Sequence, residues 1–247
     1  MLIETCLDDL LSARNAVAGG TDRIELCDNL ADGGTTPSHG MVATLVDGIG
    51  VPVFPIIRLR GGGFRYDPDE LRVMSQDAAH FASLGVKGMV FGALDDRGNI
   101  DRVAVQRIRD AAPDAEITFH RAIDACRDPF AALDELVELG VKRILTAGQR
   151  SRAWEGRELI AELVRRAGNR IIVMAGGGIS EQDAADLVRF TGVREIHIRA
   201  TMIVRDAPGW ESWAQVTLRK ALPGDENARV VTDPQRVAAI RAAVSAQ

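Results

Sequence analysis

The chain alternates between two kinds of segment. Short apolar runs rich in β-branched residues stand at 2–6, 23–27, 51–58, 88–91, 117–119, 143–146, 170–175 and 195–198, at intervals of roughly thirty residues. Between them lie stretches of helical character at 8–18, 38–47, 68–84, 101–111, 128–139 and 155–167. A further helix follows 178, capped by Ser180, and a last one fits 234–246, with Asp233 as N-cap and Pro234 in its first turn. Strands separated by whole helices are joined by crossovers, which run them parallel. Eight such units can form an open doubly wound sheet or close into a ring. An open sheet leaves two edges, and none of these runs reads as a blunted edge strand. The expectation is an α/β fold, a (β/α)8 TIM barrel forming a single domain over 1–247. One stretch breaks the cycle. Residues 202–231, with Pro208, Pro223, Gly224, Trp210 and Trp213, read as a long connection, either an exposed insertion or a lid over the barrel mouth.

Closure dictates where charge can sit. The outer face of a barrel strand lies under helices, where a lone charged side chain would be buried and unpaired at high cost. Glu4 in LIETC, Glu25 in RIELC, Arg58 in FPIIR and His120 in ITFH are flanked by apolar residues and are expected to point inward near the C-terminal mouth. Arg60, Arg121, Asp124 and His197 follow at or near strand ends. That end of a parallel barrel carries active sites, whereas a buried ion-pair network is the structural alternative.

The densest segment is EITFHRAIDAC at 116–126. His120 is the acid-base candidate, with Glu4 or Glu25 as its partner and Asp124 as a further catalytic carboxylate. Arg58, Arg60, Arg121, Thr146 and His197 are candidates for holding substrate. Gly176, Gly177 and Gly178 join them, because a strand opening through glycines into a helix N-terminus leaves backbone N–H groups free for phosphate or carboxylate. This set describes an enzyme acting on a small anionic, including phosphorylated, metabolite. Lys87 and Lys142 precede their strands, which places no lysine at the mouth for Schiff-base chemistry. No His-x-His pair ends the first strand, which disfavours an amidohydrolase-type metal centre.

A net charge of -5 and a pI near 5.5 provide no basic field for nucleic acid. The N-terminus MLIETCLDDL lacks a basic, cleavable leader and no stretch reaches membrane-span length, so a cytoplasmic protein is expected. Homo-oligomerisation is an expectation by analogy with other acidic barrels. Three cysteines without finger-like spacing make neither a disulfide framework nor a structural zinc site. Cys6 and Cys27 each lie two residues after a glutamate, hence on the same strand face as Glu4 and Glu25. On strands about 4.8 Å apart the two thiols form either a soft pair suited to Cu(I) or two small buried hydrophobes, depending on register.

Six segments carry a resemblance over 2–200: RIELC at 23–27, GGTTPS at 33–38, PIIRLRGGGF at 55–64, TFHRAIDAC at 118–126, LTAGQ at 145–149 and MAGGGI at 174–179. Together they resemble the CutC family of copper-homeostasis proteins. The resemblance implies a β/α barrel, a cytoplasmic location and a part in copper handling, with Cys6 and Cys27 as the suggested metal ligands.

Overall fold

A computed structural model describes residues 1–205 and 228–245. Eight parallel strands form its centre: β1 (Leu2–Leu7), β2 (Arg23–Leu26), β3 (Val53–Pro55), β4 (Gly88–Phe91), β5 (Glu116–Phe119), β6 (Arg143–Thr146), β7 (Ile172–Gly176) and β8 (Glu195–Ile198). Their hydrogen-bonded order is β3-β2-β1-β8-β7-β6-β5-β4. A single bridge, Ile56 to Val90, brings the two ends together, with Ile57 N–H donating to the Val90 carbonyl at 2.7 Å. The barrel expected from the alternation is therefore the fold observed.

The helices alternate with these strands: α1 (Leu10–Ala18), α2 (His39–Gly48), α3 (Pro68–Ser83), α4 (Arg102–Ala111), α5 (Pro129–Glu138), α6 (Arg157–Ala167), α7 (Ala184–Thr191) and α8 (Pro234–Ser245). Their starts follow local chemistry. Asp9, Ser38, Asp101 and Asp128 each accept an N–H from the first turn of the helix that follows. Asp67 and Glu70 form a reciprocal capping box on α3, with Pro68 at its first position. In each case the capping side chain lies in the loop after a strand, at the mouth end of the barrel.

Side-chain parity divides the molecule into two interiors. Ile3, Ile24, Val53, Phe91, Phe119, Ile144, Ala175 and Ile196 point outward into one continuous apolar core under the helices. The opposite parity points into the barrel, where Cys6, Cys27, Phe54, Ile56 and Val90 make a small separate cluster among buried charges.

Three expected segments differ. The run at 51–58 forms ladder pairs only over Val53–Pro55. Pro55 has no N–H to give, and Arg58 exchanges its backbone hydrogen bonds with Thr36 of the GGTTPS loop instead of continuing the sheet. Helix α7 begins at Ala184, several residues beyond the glycines, because Ser180–Asp183 closes a separate turn in which the Asp183 carboxylate accepts the Ser180 N–H at 2.6 Å. The expected irregular connection starts and ends in an antiparallel pair, β9 (Thr201–Arg205) with β10 (Ala228–Thr232). Its base is tied to α1 through Asn15 and Ser12, which bond the Thr232 carbonyl and N–H. The lid reading falls on 206–227, including Trp210 and Trp213, which lie outside the described residues.

Candidate functional site

A cavity of about 860 Å³ opens at the C-terminal mouth of the barrel. Its walls differ across its width. On one side, β1, β2 and β8 supply Cys6, Glu25 and His197; on the other, the ends of β3 and β5 and the loops after them supply Arg58, Phe64, His120 and Arg121.

The thiol side is set by strand register. Glu4 pairs with Arg23 and Cys6 with Glu25, so Cys27 stands one pleat above Cys6 on the neighbouring strand. Their sulfurs are nevertheless 3.7 Å apart. Glu25 contributes a carboxylate oxygen to the same spot, all three ligand atoms lying within 4.8 Å of one another and buried. The thiols are held protonated. For Cys6, its hydrogen bond with Cys27 and then burial push the pKa well above its ordinary value. The contact with Cys6 pulls Cys27 down, but burial and the charges of Glu25, Asp8 and Glu4 outweigh it and raise Cys27 to about 11.

Beneath the thiols lies an ion-pair network. Arg23 binds Glu4 and, at 2.7 Å, Glu195; Arg143 binds Glu195 from the other side and reaches Thr118 at 3.2 Å. Both guanidinium groups lie over the Phe54 ring, at 5.0 and 5.8 Å. Burial pushes the Glu4 carboxyl up, but Arg23 and His197 pull harder and hold it at about 2. His197 closes the network, its Nδ1 2.8 Å from Glu4 and its Nε2 3.6 Å from Glu25. Burial lowers its pKa, yet Glu25, Cys6 and Glu4 raise it well above the ordinary imidazole value, so this ring is cationic. Burial raises Glu25 against the pull of His197.

Arg58 and His120 face them across the cavity. Arg58 is buried and gives its terminal N–H groups to the carbonyls of Asp32, Gly34 and Gly62. The Arg58 guanidinium also lies over Phe64 at 5.4 Å, and Phe64 in turn packs against the His120 ring at 5.0 Å. Burial and the Arg58 charge lower His120 to about 3, so its imidazole is neutral. Nδ1 accepts the Ala122 N–H at 3.1 Å, which places the ring proton on Nε2.

The remaining candidates fall into different roles. Asp124 accepts from Arg121 Nε, the Thr146 hydroxyl and the N–H groups of Ala147 and Gln149, which ties the β5 and β6 loops together. Thr146 reaches Asp124 and does not line the cavity. Gln149 is held by the same carboxylate in a left-handed backbone conformation, φ +56°. Arg60 lies outside the cavity, paired with Glu70 and bonded to the carbonyls of Gly61, Gly63 and Arg65. Gly176, Gly177 and Gly178 also lie outside its lining. The Gly177 and Gly178 carbonyls hold Ala153 N–H and Arg152, and just past them the Ser180 N–H is taken by Asp183. Neither glutamate partners His120: Glu4 serves Arg23 and His197, and Glu25 sits by the thiols and His197.

Sequence reading missed Arg23, Arg143 and Glu195 as interior residues. The signal was present, because Arg23 stands two before Glu25 and Glu195 two before His197, on the same strand faces. The lining residues Phe64, Gln149, Ser151 and Glu155 come from loops and carried no such signal.

Fold and site together define a parallel β/α-barrel protein with a buried two-thiol, one-carboxylate cluster at its mouth. The CutC family model matches residues 1–202. A family protein CutC of Pasteurella multocida is 43% identical over 198 residues, 80% of this chain and 81% of its own. The copper homeostasis protein cutC homolog of Homo sapiens is 40% identical over 241 residues, 98% of this chain and 88% of its own. The crystal structure of CutC from Streptococcus agalactiae superposes with a TM-score of 0.77 at 35% identity, covering 80% of this chain and 98% of that one. The chain belongs to the CutC family.

Proposed function

We propose that the protein binds Cu(I) in the cytoplasm as part of copper homeostasis, taking the ion on Cys6 and Cys27. The observation that carries this reading is the 3.7 Å approach of the two buried sulfurs beside the Glu25 carboxylate. Soft thiolates select Cu(I) over the harder divalent ions. Metal–thiolate bonds are about 2.3 Å long, so sulfurs at this separation would meet an ion at an angle and leave one side for a third donor, where Glu25 stands. Binding a cation here displaces two thiol protons and offsets their burial cost with charge. His197, fixed by Glu4, orients the carboxylate side of the cluster. Such a site works only where cysteines stay reduced, which supports a cytoplasmic setting. No helix among the described residues is long and apolar enough to cross a membrane.

The test is an anaerobic competition titration of the reduced protein with Cu(I) against a chelator, with Cys6→Ser/Cys27→Ser in parallel. One tightly held ion per chain, lost in the double variant, is the expected outcome. Weak binding, or binding indifferent to those cysteines, would overturn the reading.

A further inference from the structure

The copper reading uses one wall of the cavity and leaves the other unexplained. A metal ion needs a small fraction of 860 Å³, a volume in the range of organic-ligand pockets. The opposite wall also carries unmet donors. Among the described residues, three buried side-chain nitrogen and oxygen atoms have no hydrogen-bond partner: Arg58 Nε, His120 Nε2 and the Tyr66 hydroxyl. Arg58 and His120 both line the cavity and are only 5% exposed, while Tyr66 lies outside its lining beside Arg58, burial raising its pKa and the guanidinium pulling it down. Buried polar groups are almost always paired, so two orphans on one wall point to a missing partner.

The kind of partner follows from the donors. Arg58 Nε carries a hydrogen, and with Nδ1 accepting from Ala122 the His120 Nε2 carries one too. Both unmet groups are donors that call for an acceptor; the Tyr66 hydroxyl stands beside Arg58, and no such protein group stands beside His120 Nε2 among the described residues. Arg58 is also a buried cation held by three carbonyls, and among the described residues no carboxylate pairs with it. A buried charge without a counter-charge is costly, and an anion beside it would remove that cost. Arg121, half-exposed at the same rim, adds a second cation, steadied by Asp124 and the Arg150 carbonyl.

We propose that this wall is a subsite for a small organic oxyanion, whose charged oxygens accept from Arg58 Nε and His120 Nε2 while its body fills the cavity toward the thiols. His120 acts there as a neutral donor rather than as a base, since it has no carboxylate partner to raise its basicity. Carboxylate and phosphate ester share the recognised chemistry. The subsite is independent of copper, because none of its donors comes from the thiol cluster.

The experiment is a titration of metal-free, reduced protein with glycerol 3-phosphate, inorganic phosphate and malate. Binding is followed by calorimetry and by the NMR resonance of the His120 Nε2 proton. Saturable binding of at least one probe is expected, with that resonance displaced. His120→Phe keeps the packing on Phe64 and removes the donor; it is expected to weaken binding about tenfold to a hundredfold, the worth of one hydrogen bond to a charged group. Preference among the probes assigns phosphate or carboxylate. If none binds, or if binding leaves the Nε2 proton unmoved or the His120→Phe variant unaffected, the proposal fails. The wild-type resonance decides it alone if the variant does not fold.

Discussion

The two walls of one cavity solve the problem of buried charge in opposite ways. On the thiol wall the charges answer one another: Arg23 lies between Glu4 and Glu195, and His197 lies between Glu4 and Glu25. On the guanidinium wall Arg58 is fixed by neutral carbonyls, and no described carboxylate pairs with it. The same contrast sets the two histidines apart, one cationic between acids and one neutral beside a cation. A self-neutralising wall keeps its geometry when empty and must release protons to accept a metal ion. An uncompensated wall is complete only with a ligand.

The largest effect expected is on the first wall. Arg23→Met leaves Glu4 with His197 alone and Glu195 with Arg143 alone in the barrel interior, and should cost about 3–5 kcal/mol in urea denaturation, the penalty for breaking a buried pair. Arg58→Met removes a charge that has no carboxylate partner, so it strands none and loses only hydrogen bonds, for about 1–3 kcal/mol. Equal losses in the two variants would dissolve the distinction between the walls.

Acidity separates them by sign. His120 is lowered from 6.5 to about 3, so the unfolded chain holds more protons in that interval; its contribution is whole above pH 6.5 and drains as pH falls. His197 is raised above 6.5, so its contribution is whole below pH 6.5 and is lost as pH rises. Glu25, also raised, loses stability in the same rising direction from its ordinary value of 4.5. Glu4, held at about 2, keeps its full contribution above its ordinary 4.5. Between pH 5 and 8, wild type minus His120→Gln should therefore gain stability with pH, and wild type minus His197→Gln should lose it. Each slope is at most about 1.4 kcal/mol per pH unit. Slopes of the same sign would mean that the histidines do not sit in opposite fields.

The smallest effect belongs to Arg60→Ala. Its ion pair with Glu70 is solvent-screened, so stability should change by less than about 1 kcal/mol and Cu(I) uptake not at all. A loss of Cu(I) or anion binding would bring Arg60 back into the site.

Much of this geometry was legible in the chain. Period-two alternation was enough to turn Glu4, Glu25, Arg58 and His120 inward, because the residues before them, Ile3, Ile24, Ile57 and Phe119, belong to the outer apolar core. Arg60 lies outside the cavity because the ladder ends at Pro55, and strand parity does not carry as far as residue 60. The turn closed just past the glycine run was not legible, because it depends on Asp183 reaching back to accept the Ser180 N–H. The meeting of Cys6 and Cys27 depended on register, a property of two strands together that neither strand's sequence contains.

The closing seam of the barrel has its own consequence. Seven of the eight strand joins are ladders of two or more residue pairs, while β3 and β4 meet through one bridge. A ring with one weak rung breathes at that rung. The Ile57 amide, bonded to Val90 across the seam, should exchange with solvent deuterium ahead of amides elsewhere in the barrel. Arg58 is the next residue along the chain, so each opening of the seam would briefly unclasp the wall that carries it. An anion bound there would tighten the seam, and the exchange rate of one amide would report its arrival.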